Sequence, residues 1–149
     1  MRNKFFTYFS LVFLYLVFSS CSDHFCDQLK SKLDKIECTD KSGCTVDMKD
    51  IFEGKWEYVY MFQGFNMPED ISKAIGFKYS GETIYDPTRL FLFVSQNKIQ
   101  RVYETECYSI NMDRILKNGY VKMDSSNSEL ILFTHGQGKH KKYILDFIK

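Results

Sequence analysis

The stretch KWEYVYMF, Lys55 to Phe62, decides the fold that the sequence predicts. Aromatic residues stand at every second position of this stretch from Trp56 to Phe62. Such alternation is typical of a β-strand, because successive side chains of a strand point to opposite faces. One face then carries Trp56, Tyr58, Tyr60 and Phe62, and the other carries Lys55, Glu57, Val59 and Met61. We therefore predict a central strand with one aromatic face.

Downstream of this strand the sequence predicts short elements joined by turns. Turn residues and caps mark their ends. In order they are a helix from Pro68 to Ile75 ended by Gly76, a hairpin or two short strands over 77–85, a hairpin of 89–94 with 99–107, a brief helix over 112–117, and strands at 120–123, 130–134 and 142–148.

Upstream of the strand, apolar residues recur at helical spacing. Phe25, Leu29, Leu33 and Ile36 are three or four residues apart, and Asp23 stands where an N-cap would. This spacing predicts an amphipathic helix over Asp23 to Glu37. The fold class is then α+β, an antiparallel sheet with an N-terminal amphipathic helix and one or two short helices.

The first residues of the chain have the pattern of an export signal. A basic start (Arg2, Lys4) precedes the apolar run from Phe5 to Phe18, which as a helix would measure only about 21 Å against a hydrocarbon core of roughly 30 Å. A permanent membrane span is therefore the weaker interpretation. We predict a signal peptide over 1–20 and a single domain over 21–149.

The end of this segment resembles the lipobox of bacterial lipoproteins, an apolar residue and two small residues before a cysteine. The matching residues are Phe18, Ser19, Ser20 and Cys21. The resemblance implies cleavage before Cys21, acylation of that cysteine and a lipid-anchored protein. In Gram-negative cells, Ser22 in second position further implies the outer membrane, with the domain facing the periplasm.

The remaining cysteines form an even set once Cys21 is assigned to the lipid. An oxidising compartment would pair Cys26, Cys38, Cys44 and Cys107 in two disulfides. Three connectivities fit four cysteines, and we favour Cys38 with Cys44 and Cys26 with Cys107. A metal site and free buried thiols are the alternatives, but no Cys-x-x-Cys or paired-histidine spacing accompanies the cysteines.

The charge balance argues against two classes of partner. The leader holds two of the 20 basic residues and none of the 19 acidic ones, so the remainder of the chain has 18 basic and 19 acidic residues. Such a balance favours neither nucleic acid nor an anionic membrane surface as a partner.

No motif of catalysis, metal binding or cofactor binding stands out. Gly136 to Lys139 lacks the spacing of a phosphate loop, and His135 with His140 flank the same turn without a carboxylate cluster. Glu104 and Glu106 have a spacing that glycosidase chemistry could use, but alternating charges on a solvated strand are common. We expect no catalytic residue, no metal and no cofactor.

The aromatic residues suggest a binding surface beside a core. Aromatic residues make up 17% of the chain, more than one small core usually requires, and aromatics dominate interface hot spots. Core packing is the default for most of them, and Tyr58, Tyr60 and Tyr79 are our candidates for contact with a partner.

The segment WEYVYMFQGFNMPEDISKAIGF, residues 56–77, is similar to one in small exported bacterial proteins and lipoproteins. This resemblance implies a shared fold and carries no catalytic residue. Together these features predict a non-enzymatic envelope lipoprotein that binds a protein partner, as an immunity or inhibitor protein against a periplasm-acting toxin or hydrolase. The alternatives are a structural or assembly lipoprotein and, third, an envelope hydrolase using Glu104 and Glu106.

Overall fold

The computed structural model describes residues 21–38, 43–116, 119–136 and 138–148, with 21–23 and 139 described by their backbone alone. The expected signal peptide, residues 1–20, and the side chain of Cys21 lie outside this description. The helices are α1 (Cys21–Asp34), α2 (Met48–Ile51) and α3 (Pro68–Ile75). The strands are β1 (Cys44–Asp47), β2 (Tyr58–Gln63), β3 (Arg89–Ser95), β4 (Lys98–Thr105), β5 (Ile110–Asn111), β6 (Tyr120–Asp124), β7 (Glu129–His135) and β8 (Lys142–Phe147).

The strands form two four-stranded sheets. The first sheet has the order β1-β7-β8-β5 and the second has the order β4-β3-β2-β6. Neighbouring strands are antiparallel except β5 and β8, which are parallel. The mixed α+β class is therefore confirmed, whereas the expectation of one antiparallel sheet is wrong, because the chain divides its strands between two sheets with separate partners.

Strand β2 is buried on both of its faces. It pairs with β3 on one side and with β6 on the other. Val59 and Met61 lie in one core, and Tyr60 and Phe62 lie in another. A strand buried in this way needs apolar residues at successive positions, and VYMF supplies them.

The strand begins later than the alternation predicts. A bend at Glu57 precedes β2, where the Glu57 amide donates to the carbonyl oxygen of Val94 at 2.9 Å. Trp56 is buried in the core of Val59 and Met61, so the prediction that it shares a face with Tyr60 is wrong. The bend interrupts the two-residue period.

Two apolar clusters cover the second sheet. The inter-sheet core lies between the two sheets and includes α1 and α2; its largest fully buried side chains include Leu33, Met48, Met61, Phe91, Phe93, Ile110 and Tyr143. The outer core lies between the other face of the second sheet and α3, with Tyr60, Phe62, Ile71, Ile75, Tyr79, Ile84, Leu90, Leu92 and Val94. Burial on both faces fixes the position of β2 and β3.

Local signals set most other boundaries. Pro68 begins α3 and Gly76 ends it with a left-handed φ of 84°, as predicted. The hairpin of β3 and β4 is confirmed, with Gln96 and Asn97 both at positive φ in its turn. The predicted strands at 120–123, 130–134 and 142–148 correspond to β6, β7 and β8.

Two local predictions are wrong. The segment 77–85 forms no strand, and only an isolated bridge pairs Ile84 with Asn66. One of its backbone amides bonds to α3, since the Tyr79 amide donates to Ser72 Oγ at 2.9 Å. The described part of 112–117 is a turn rather than a helix, because Asn111 Oδ1 accepts from the Asp113 amide and the turn ends at Leu116.

Both favoured disulfides are confirmed. Cys26 is bonded to Cys107, and Cys38 is bonded to Cys44, with a Cα–Cα distance of 5.6 Å in each pair. The first bond ties α1 to the segment after β4, and the second closes a small loop before β1. The two bonds therefore restrict the unfolded chain to very different extents.

Removing the two disulfides is expected to cost unequal stability. For sequence separations of 81 and 6 residues, loop-closure entropy gives roughly 4.5 kcal/mol for Cys26–Cys107 and about 2 kcal/mol for Cys38–Cys44. Urea unfolding of the C26A/C107A and C38A/C44A variants measures both costs. Equal costs would contradict the account.

A polar contact also joins α1 to the first sheet. The Tyr143 hydroxyl donates to the carboxylate of Asp34, and the Lys141 ammonium lies 3.3 Å from the same oxygen. These contacts lower the pKa of Asp34, with the bond from Tyr143 the largest cause. Burial, followed by the bond to Asp34, raises the pKa of Tyr143.

The Y143F variant is expected to lose about 1 kcal/mol of stability at neutral pH, because a charge-assisted hydrogen bond disappears. The pKa of Asp34 is depressed in the folded state. Its contribution to folding stability is therefore present above pH 3.8, the unfolded pKa, and is lost as the pH falls through the folded pKa. The stability difference between Y143F and the wild type, measured by urea unfolding, should be smaller at acid pH than at neutral pH. Y103F is the matched control, because no described residue hydrogen-bonds the Tyr103 hydroxyl.

Candidate functional site

One cleft of about 470 Å³ opens where four loops meet beside the second sheet. The loops are the turn after β2, the segment that enters β3, the segment between β4 and β5, and the segment between β5 and β6, from which Asp113 and Gly119 line the cleft. Its lining residues are Gln63, Gly64, Phe65, Asp86, Pro87, Arg89, Glu106, Cys107, Tyr108, Ile110, Asn111, Asp113 and Gly119. A cleft of this size is in the range of sites that hold a small molecule or a few side chains.

Large aromatic side chains at the cleft are exposed to solvent. Phe65 is 79% exposed and Tyr108 is 72% exposed, and both line the cleft. Tyr85, which precedes Asp86, is 61% exposed and packs edge-to-face on Phe65 with ring centroids 6.1 Å apart. We call Phe65, Tyr85 and Tyr108 the aromatic rim.

The backbone presents Phe65 in an unusual conformation. Gly64 and Phe65 both have positive φ, 46° and 21°. Glycine adopts such values freely, but a residue with a bulky side chain rarely does. A strained backbone that holds an aromatic ring in solvent is a feature more often found at binding sites than in simple turns.

Arg89 braces the inner wall of the cleft. Its Nη1 donates to the carbonyl oxygens of Cys107 and Ile110 at 3.2 and 3.3 Å, and its Nη2 lies 3.3 Å from Asp113 Oδ1. Its Nε is buried and has no acceptor among the described residues. The guanidinium thus holds the segment from Cys107 to Asp113 against the start of β3.

One carboxylate of the cleft is hydrogen-bonded to a phenol. Glu106 Oε2 accepts a 2.5 Å hydrogen bond from the Tyr108 hydroxyl. This bond raises the pKa of Tyr108, and desolvation and the charges of Glu106 and Asp86 act in the same direction. The Tyr108 phenol is therefore paired with one carboxylate of the cleft, Glu106, and the charge of a second, Asp86, raises its pKa further.

The cleft wall is fixed covalently as well. Cys107 is buried, lines the cleft and is bonded to Cys26 of α1. The same residue supplies a carbonyl oxygen to Arg89. The position of Glu106 and Tyr108 on either side of Cys107 therefore depends on the disulfide and on the arginine brace.

The structure corrects two of the three predicted partner-binding residues. Tyr60 is only 4% exposed and Tyr79 only 6%, because both pack in the outer core. Tyr58 is half-buried, and the Lys122 ammonium lies 3.9 Å from the centre of its ring. The alternation identified aromatic residues correctly but could not show that α3 covers this face.

The other candidate residues of the sequence do not meet at one place. Glu104 lies on β4 opposite Leu90, whereas Glu106 lies beyond the end of the strand in the cleft. His135 ends β7, and His140 lies in the short 3₁₀ turn Gly138–His140. Within the described residues, no group of three or more His, Cys, Asp or Glu side chains could hold a metal ion.

Sequence reasoning missed the residues that build the cleft. Phe65, the neighbouring Asp86 and Arg89, and Tyr108 come from three separate stretches of the chain and converge through the pairing of β2 with β3 and the disulfide. A local signal existed in Gly64-Phe65, a glycine followed by an aromatic residue directly after a predicted strand.

Comparison with models of protein families, with curated proteins and with solved structures gives no match. In the part of the chain that the structure describes, none of the helices is long and apolar enough to cross a membrane.

The E106Q variant is expected to return the pKa of Tyr108 toward its ordinary value of 10, because Glu106 is the main cause of the shift. Titration of the Tyr108 ring carbon signals by NMR measures this pKa. An unchanged pKa would show that Glu106 and Tyr108 are not paired in solution.

Proposed function

We propose that this protein is a lipid-anchored protein of the cell envelope that binds a protein partner at the aromatic-rimmed cleft. The most concrete form of the proposal is an immunity or inhibitor protein that neutralises a toxin or hydrolase acting in the periplasm. The observation that carries it is the concentration of exposed aromatic side chains around one cleft. Tyrosine and other aromatic anchors, surrounded by polar groups, are the usual centre of a protein interface.

The energetics of the rim support a binding role. Three large rings in solvent contribute little to the fold, and the backbone of Phe65 is strained, so neither feature is explained by stability. A partner that covered these rings would bury apolar surface that stays exposed in the folded protein, and this burial would stabilise the complex. The expected free energy of this burial is about 25 cal/mol for each Å² of apolar surface.

The two disulfides support a location in an oxidising compartment. Disulfides form and persist in oxidising environments such as the bacterial periplasm. The resemblance of Phe18 to Cys21 to a lipobox supports acylation of Cys21 and an anchor in the outer membrane.

An anchor at Cys21 would hold the cleft close to the membrane. Cys26 is five residues further along α1, about 7.5 Å along the helix axis. The Cα of Cys107, in the cleft wall, is 5.6 Å from that of Cys26. The partner would then be met at the membrane surface, where an inhibitor of an incoming toxin would act early.

The proposal is tested with the product of a toxin-like reading frame adjacent to this gene. Cells that express this effector in the periplasm should survive with the wild-type protein and die without it. The F65A and Y108A variants should lose rescue and lose the complex. Because exposed side chains add little to folding, each should keep its stability within about 0.5 kcal/mol of wild type.

F147A is the matched control. Phe147 is also a large exposed aromatic residue, but it lies at the end of β8 and does not line the cleft. This variant should rescue as well as the wild type. Loss of rescue by F147A alone would contradict the cleft as the binding site. Failure of the wild type to rescue, with neighbouring genes for secretion or cell-wall machinery, would favour the assembly lipoprotein instead.

A further inference from the structure

We propose that the partner anchors itself in this cleft by a cationic side chain, an arginine or lysine held between Asp86, Glu106 and the aromatic rim. This inference rests on the proposed function and names the chemistry of the partner at the same site. Three features support it. They are the negative charge of the lining, the bonds that already occupy the only basic side chain described in the lining, and the aromatic rings at the entrance.

The lining carries more negative than positive charge. Its described acidic residues are Asp86, Glu106 and Asp113, against the single basic residue Arg89. Arg89 is already committed to Asp113 and to two carbonyl oxygens. Within the described residues, Asp86 and Glu106 have no ion-pair partner.

The two carboxylates without an ion-pair partner among the described residues, Asp86 and Glu106, line the cleft together with the Tyr108 phenol. Glu106 accepts from the Tyr108 hydroxyl, and the charge of Asp86 also acts on that hydroxyl. The Cβ of Asp86 is also close to Gly64, only 3.7 Å from where a Cβ on that glycine would lie, so this carboxylate sits beside the turn that presents Phe65. A guanidinium or ammonium entering here would meet carboxylate oxygens at its head.

The aromatic rim suits the stem and the charge of such a side chain. The faces of aromatic rings carry partial negative charge and attract cations, and the methylene stem of arginine or lysine packs on the same faces. Aromatic faces and carboxylates together favour a cation over a phosphate or another anion, which Asp86 and Glu106 would repel. The described residues hold no cluster suited to a metal ion, so an organic cation is the better occupant.

The test uses two small probes that differ in charge and hardly at all in shape. N-acetyl-arginine-N′-methylamide carries the guanidinium, and the matching citrulline compound replaces it with a neutral urea. Each is titrated into ¹⁵N-labelled protein purified from the cell envelope, and amide chemical shifts are followed by NMR. The variants are D86N and E106Q, with E129Q on β7 as the control outside the cleft.

We expect the arginine probe to shift amides around Gly64, Phe65 and Tyr108 with millimolar affinity. The citrulline probe should bind roughly ten-fold more weakly, because charge-assisted hydrogen bonds to carboxylates are lost. D86N and E106Q should each weaken the binding of the arginine probe several-fold, and E129Q should leave this binding unchanged. Retained dispersion in the spectrum of each variant shows that it is folded.

Equal binding of the two probes, or shifts spread over the whole surface, would overturn the inference. So would cleft shifts produced by a neutral oligosaccharide such as chitotriose when the arginine probe produces none, which would assign the cleft to glycan binding. If the arginine probe fails while F65A and Y108A still lose rescue, the partner docks without a cationic anchor and the proposed function stands. If the probe binds while those variants rescue normally, the proposed function fails and the cation site remains.

Discussion

Burial of β2 and β3 on both faces is the constraint on which the rest of the structure depends. Each strand must supply apolar side chains at successive positions, because one face meets the inter-sheet core and the other meets the outer core. The sequences VYMF and LFLFV meet this requirement. The first sheet with α1 must then cover one face, and α3 must cover the other.

The cleft follows from the same constraint. The turn after β2 and the segment that enters β3 lie next to each other because Gln63 pairs with Arg89. Arg89 then reaches across to the segment after β4, which the Cys26–Cys107 disulfide fixes from the opposite side. A sheet buried on both faces thus holds the cleft loops in place, and the loops are free to carry exposed rings and carboxylates.

The sequence predicted those features that depend on neighbouring residues. The start and end of α3, the β3–β4 hairpin and the Cys38–Cys44 bond follow from Pro68, Gly76, the Gln96-Asn97 turn and the short spacing of those two cysteines. The Cys26–Cys107 bond was favoured among three connectivities, and no local pattern specifies it. The division of the strands into two sheets could not be predicted, because nothing in the local sequence of β1, β7 and β8 shows that they pair with one another and not with β2 or β3. The burial of Tyr60 and Tyr79 was missed for the same reason, since an alternating aromatic face looks alike whether a helix or solvent covers it.

We propose that the aromatic rim is the surface that meets the partner. Site-specific photo-cross-linking in living cells tests it most directly, with p-benzoyl-phenylalanine placed at position 65 in one strain and at position 147 in another. The account predicts that position 65 traps the same protein whose activity the wild type neutralises, and that position 147 does not. Cross-linking of that protein from position 147 but not from position 65 would contradict the account.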